Sequence, residues 1–187
     1  MPSEIKLIEK IKRGNKRAFK KIFDANFNHL FRFLHQFSTD KDLVEEWVQR
    51  AFIKAYTNIS GFRGNSKFST WLFKIGINEM KTDMRKLGLR KYESITDDGL
   101  ELTSEQFNFD WTYDMKWLLE NLEENKKAVF ILHEVEGYSH SEISEMLDIS
   151  VSASRTNLFR AKKYLKEKWE SQEVKYDRPG KILQERR

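Results

Sequence analysis

The chain has 187 residues, no cysteine and a formal net charge of +5 from 34 Lys+Arg and 29 Asp+Glu. The missing thiols exclude a disulfide framework, a cysteine-ligated metal and a thiol nucleophile. Hydrophobic residues make up 39% and include 14 Phe and 5 Trp, too many large apolar side chains for a disordered polymer. The N-terminus, MPSEIKLIEKIKRG, carries charges throughout and shows no apolar leader core, so a cytoplasmic protein with no membrane insertion of its own is expected.

Both prolines, Pro2 and Pro179, lie at the extremes, which leaves the interior free to be helical. A first helix is expected from Glu4 to Lys12, stopped near Gly14. Asn15 can cap a second, on which Phe19, Ile22, Phe23, Leu30, Phe31 and Leu34 keep helical spacing. Thr39 with Asp42 resembles a capping box before a third helix that runs to Tyr56. A loop, Ser60 to Lys67, precedes a fourth helix from about Ser69 to Lys86. Residues 87–112 are polar, acidic and turn-rich and read as a linker. Helical patterning resumes near Trp111 and continues to Trp169, and the rest reads as a tail.

Charge follows this division. Residues 1–90 hold 19 basic and 9 acidic residues, residues 91–125 hold 2 and 10, and residues 126–187 hold 13 and 10. Two basic blocks around an acidic connector suit a polyanionic partner. The fold class expected is all-α: two small helical domains joined by a flexible acidic linker, at 1–88, 89–112 and 113–170, with a tail at 171–187.

The C-terminal block carries the clearest short motif. Ser139-x-x-Glu142 is a capping box that opens a short helix, with Ile143, Met146 and Leu147 facing inward. Asp148-Ile149-Ser150 makes a tight turn, and Ser150 can cap a second helix. There Val151, Ser154, Leu158, Ala161 and Leu165 form one stripe expected to be buried. The opposite face presents Ser152, Ala153, Thr156, Phe159, Arg160 and Lys163, flanked by Arg155 and Lys162. This is helix-turn-helix patterning, with small and hydroxyl residues for base edges and cations for phosphates. An ordinary helical hairpin with a solvated basic face shows the same pattern.

Phe62-Arg63-Gly64, Phe68-x-Thr70-Trp71-Leu72, Ile75, Asn78, Asp83 and Arg85 closely resemble regions 2.3 and 2.4 of the extracytoplasmic-function (ECF) sigma factors. Glu46-Trp47-Val48-Gln49 through Phe52, Lys54, Ala55 and Tyr56 resembles region 2.2. Asn121-Leu122, Val129-Phe130, Glu134 through Tyr138, Glu142-Ile143 and Ile149-Ser150-Val151 resemble region 4. The resemblance spans about residues 15–86 and 116–169. It implies a subunit that binds core RNA polymerase, directs it to promoter DNA and helps melt that DNA.

On that resemblance, Arg63, Asn65, Lys67, Phe68, Asn78, Lys81, Arg85 and Lys86 are expected at the downstream (minus-ten) element, with Lys74 beside them. Phe68 and Trp71 could stack on bases, although aromatics at helical spacing are usually core. Ser150, Ser152, Arg155, Thr156, Phe159, Arg160 and Lys163 are expected at the upstream (minus-thirty-five) duplex. Glu45, Glu46, Val48, Gln49 and Phe52 are expected on the polymerase-docking helix. An anti-sigma factor is the regulatory partner the resemblance brings with it, although no residue identifies one.

Four residues depart from the family pattern. Arg50 stands where an acidic residue is usual, Ser154 where an apolar one is usual, Asn157 where Arg is usual, and Ala153 where a hydroxyl is common. A buried Ser154 hydroxyl would bond back to a carbonyl one turn earlier. A stand-alone helix-turn-helix regulator and a protein–protein adaptor remain open alternatives. An enzyme is not expected: His29, His35, His133 and His140 are scattered without metal-ligand spacing, and there is no phosphate-binding glycine loop. No cofactor or metal is expected.

Overall fold

The computed structural model describes residues 2–86, 118–119 and 121–173. Those residues form helices, and no strand occurs among them. The linker expected at 89–112, the restart near Trp111 and most of the expected tail lie outside the described residues.

The N-terminal body contains α1 (Pro2–Lys12), α2 (Lys16–Leu34), α3 (Lys41–Thr57), a short 3-10 turn (Ile59–Gly61) and α4 (Phe68–Lys86). Its boundaries have local causes. Gly14 takes φ +83°, so its N–H reaches Ile11 O and the Asn15 N–H reaches Lys10 O, which closes α1. The Asn15 side chain accepts from the Ala18 N–H at 3.0 Å and starts α2. At α3 the cap is Asp40, not the expected Thr39–Asp42 box: its Oδ1 accepts from the N–H groups of Asp42 and Leu43. One carboxylate at the correct position satisfies two orphan donors and leaves Thr39 nothing to do. The N-terminus of α4 is served from a distance, because Glu4 on α1 accepts from the Phe68 N–H at 3.3 Å.

Large rings fill this body. Trp47, Phe33, Phe68 and Phe73 are fully buried, and Phe33 meets Phe73 at 5.4 Å between ring centroids. Gly76 lets α4 approach α2 closely: a Cβ there would sit 2.9 Å from Leu30 Cδ1.

The C-terminal body contains α5 (Glu124–Phe130), a π turn (Ile131–Val135), α6 (His140–Leu147) and α7 (Val151–Glu173). The expected capping box is present, with the Ser139 hydroxyl and the Glu142 carboxylate each meeting the other's backbone N–H. Asp148 ends α6 in the left-handed region at φ 61°, and the Ser150 hydroxyl accepts from the Ala153 N–H at 2.9 Å to start α7. Helix, three-residue turn, long helix is therefore built as expected. The buried stripe of α7 is corrected at its first member: Val151 is exposed, because it precedes the turn of helix that packs on α6. The two bodies meet where α6 lies against α4.

Candidate nucleic-acid interface

In the N-terminal body, Arg63, Asn65 and Lys67 are exposed on the loop before α4. Asn78, Arg85 and Lys86 are exposed on α4 itself. Lys74, Asn78, Lys81 and Arg85 recur every three or four residues, so they share one face of the helix. Lys81 is half-buried, and burial lowers its pKa against the opposing pull of Glu124 and Asp148. Phe68 is corrected: it is 0% exposed and packs edge-on against Phe62 and Trp71, so it builds the core beneath the loop. Trp71 is half-buried in that aromatic cluster.

Helix α3 presents Glu45, Glu46 and Gln49 to solvent. Val48 and Phe52 are corrected, being 0% and 3% exposed: they sit on the inner side that holds α3 to the core. Arg50 has a local explanation. Its guanidinium pairs with Asp83, with Glu79 at 3.4 Å and with Glu46 at 3.4 Å. Lys54 also pairs with Glu79, and the Trp47 indole N–H donates to Asp83 at 3.1 Å. Burial pushes the Asp83 carboxyl up, but the bonds from Arg50 and Trp47 outweigh it and hold it below the usual range. Arg50 therefore spends its charge clamping α3 to α4. Sequence reading missed this clamp because its acids, Glu79 and Asp83, lie about thirty residues away on a different helix.

In the C-terminal body, Ser150, Ser152, Arg155 and Lys163 are exposed, and Phe159 and Arg160 are half-buried. Thr156 is corrected: it is 4% exposed, like Ala153, and faces the packed side of α7. The buried face of α7 includes Ser154, as the stripe leads one to expect, and is widened by Thr156 and Asn157, which a narrow stripe does not reveal. Ser154 bonds to His140 Nδ1 at 2.9 Å, not to a carbonyl one turn back. It is Asn157 that bonds back, its amide donating to Ala153 O at 2.9 Å. Burial, with the nearby His133 and Arg155 charges, holds the His140 pKa below its usual value.

This geometry gives two cationic surfaces of different kinds. One is a stripe beside a polar loop, suited to a backbone of phosphates. The other is a helix-turn-helix whose second helix exposes small hydroxyl and basic side chains near its start, suited to a groove.

Comparison with known proteins agrees in both halves. Residues 22–90 match the family model described as sigma-70 region 2, and residues 118–165 match that described as sigma-70, region 4. The chain belongs to the sigma-70 family. Among curated relatives, the ECF RNA polymerase sigma-E factor of Haemophilus influenzae is 29% identical over 183 residues, covering 87% of this chain and 93% of the relative. The ECF RNA polymerase sigma-E factor of Escherichia coli K12 is 28% identical over 176 residues, covering 87% and 92%. Among solved structures, CnrH in complex with the cytosolic domain of CnrY aligns with TM-score 0.68 at 22% identity, covering 90% of this chain and 97% of that one. The sigma factor RpoE in complex with the anti-sigma factor NepR, from Bartonella quintana, aligns with TM-score 0.65 at 24% identity, covering 87% and 99%. These two share the sigma-70 fold with this chain. No described helix is long and apolar enough to cross a membrane.

Proposed function

We propose that this chain is an ECF-type sigma factor: it binds core RNA polymerase, directs it to specific promoters and helps melt the DNA there. The observation that carries this reading is the pairing, in one chain, of a cationic α4 face beside a polar loop with a helix-turn-helix. A stand-alone regulator needs the second and has no use for the first.

In this reading Arg63, Asn65, Lys67, Asn78, Lys81, Arg85 and Lys86 serve the downstream element once its strands separate. The loop supplies polar groups for an unstacked base, and the helix supplies cations for the phosphates. Ser150, Ser152, Arg155, Phe159, Arg160 and Lys163 serve the upstream duplex. Glu45, Glu46 and Gln49 form the face of α3 offered to polymerase, and the Arg50 clamp keeps that face in register with α4. The domain division is 1–88 and 113–170, joined through 89–112. The chain acts in the cytoplasm, we assign it no catalytic residue, and an anti-sigma factor is its regulatory partner.

The test is co-elution with core RNA polymerase, followed by promoter opening with the reconstituted complex. Co-elution with a melted bubble is the expected result. Specific duplex binding by the free protein, with no polymerase association, would overturn the reading in favour of the regulator.

A further inference from the structure

The histidines are scattered along the chain, yet the fold brings two of them together. His133 on the π turn stacks on His140, the first residue of α6, with ring centroids 4.5 Å apart and planes at 28°. Each Nδ1 is engaged: that of His133 meets Glu134 Oε1 at 2.9 Å, and that of His140 meets Ser154 Oγ at 2.9 Å. Neither Nε2 has a hydrogen-bond partner among the described residues.

The Nδ1 partners decide where the protons sit. Burial pushes the Glu134 carboxyl up, but the bonds from Lys162 and His133 hold it below its usual range. An ionised carboxylate only accepts, so His133 keeps its proton on Nδ1, and its neutral Nε2 is a bare lone pair. Ser154 is fully buried, and among the described residues its hydroxyl has only His140 to bond. That hydroxyl therefore donates to Nδ1, and the neutral His140 carries its proton on Nε2. A second proton on His140 would leave the Ser154 hydroxyl without an acceptor, and burial, then the His133 and Arg155 charges, already holds its pKa down. The stack thus offers one N–H donor while both rings are neutral. It gains a second donor and a positive charge when His133 is protonated.

The pair borders the reading face of α7. The charges that bear on His140 are those of His133, Arg155, Glu134 and Lys162. Arg155 is exposed among the residues assigned to the upstream duplex, and Lys162 is held by Glu134 at 2.8 Å. Glu136, further along the same stretch, is turned to His29 of α2. In a helix-turn-helix the first helix crosses the phosphate backbone while the second enters the groove. Rings stacked at this spacing suit the two free oxygens of one phosphodiester. We propose that His133 and His140 hold one phosphate of the upstream duplex through their Nε2 atoms, His140 as a neutral donor and His133 after taking up a proton, so that upstream binding is proton-linked. This inference rests on the reading of α6 and α7 as the upstream-binding half of a sigma factor. Because the phosphate favours protonated His133, affinity rises as pH falls toward the ordinary histidine value of about 6.5 and declines as pH rises above it.

The probe is a labelled duplex selected from a random library by the chain bound to core polymerase. That complex is expected to bind it about fivefold more tightly at pH 6.5 than at pH 7.5, following the protonated fraction of an ordinary histidine. His133→Gln keeps an uncharged donor and is expected to remove the pH response. His133→Arg is expected to give the tighter binding at both pH values, a gain that misfolding cannot produce. His35→Gln, in the N-terminal body, is expected to keep the parent's response. Methylphosphonate replacement, one phosphate at a time, locates the contact: at one upstream position it is expected to abolish the parent's pH response.

A pH response that survives in His133→Gln, or that no single methylphosphonate removes, overturns the site. Where the parent still opens a promoter with polymerase, the sigma-factor reading survives that result. Failure of the parent to bind polymerase removes both.

Discussion

Helices α4 and α7 both carry cations to a surface, but they are held down differently. The inner side of α4 is Phe68, Leu72, Phe73, Ile77, Met80 and Met84, all buried. The inner side of α7 mixes Leu158, Ala161 and Leu165 with Ala153, Ser154, Thr156 and Asn157, also buried. Large rings anchor α4 through apolar area, and on the side that meets α3 charge enters at its edge, through the Arg50–Glu79–Asp83 clamp. Small and polar residues let α7 lie close to its neighbours, but each buried polar group then needs a partner. Ser154 finds His140 and Asn157 finds Ala153 O. The inner face of α4 therefore depends on volume, and that of α7 depends on satisfied hydrogen bonds as well.

The largest test of that contrast is Phe68→Ala. If the ring is core, the substitution costs the N-terminal body about 3–5 kcal/mol, read as a fall in its own unfolding transition by calorimetry. An unchanged transition with weakened DNA binding would return Phe68 to the interface. Arg50→Ala comes next. It leaves Glu79 and Asp83 short of a partner at 11% and 14% side-chain exposure, and is expected to cost about 2 kcal/mol. Adding Asp83→Asn to that variant should recover part of the loss, and a double-mutant cycle measures how much. In the C-terminal body, Ser154→Ala is expected to cost about 1 kcal/mol, because the hydroxyl is fully buried and bonded.

The smallest effect is a separation in pH. His140 has a depressed folded pKa, from burial first and then from His133 and Arg155. The unfolded chain then binds more protons below the ordinary histidine value of about 6.5, so the C-terminal body loses stability as pH falls through that range. In the N-terminal body Asp83 is also depressed, but its contribution is fully present above the ordinary carboxylate value near 3.8 and is lost only below it. Thermal scans between pH 7 and pH 5 should therefore move the C-terminal transition and leave the N-terminal one in place. His140→Gln should abolish the difference.

Legibility followed the range of each interaction. The Asn15 cap, the Ser139–Glu142 box and the Ser150 cap were all readable, because each links residues three apart. The Thr39 reading failed within the same range, since Asp40 competes for the same donors and wins with a charged acceptor. Site residues were readable as types on a helix face, but their exposure was not. Val48, Phe52, Phe68 and Thr156 share helices with exposed neighbours, and which side turns inward depends on where the next helix packs. Arg50 looked out of place for the same reason, since its acids arrive only when α4 is laid along α3.

The sequence by itself determined the helices, their local caps, the two basic blocks and the helix-turn-helix, because periodicity, short-range hydrogen bonds and composition act within a few turns of chain. Only the tertiary structure decided that Arg50 is a clamp, that Ser154 answers His140, and that α6 lies across α4 with Glu142 on Lys67. Those are meetings of side chains far apart in sequence, and no local pattern encodes which distant charge a helix face will find.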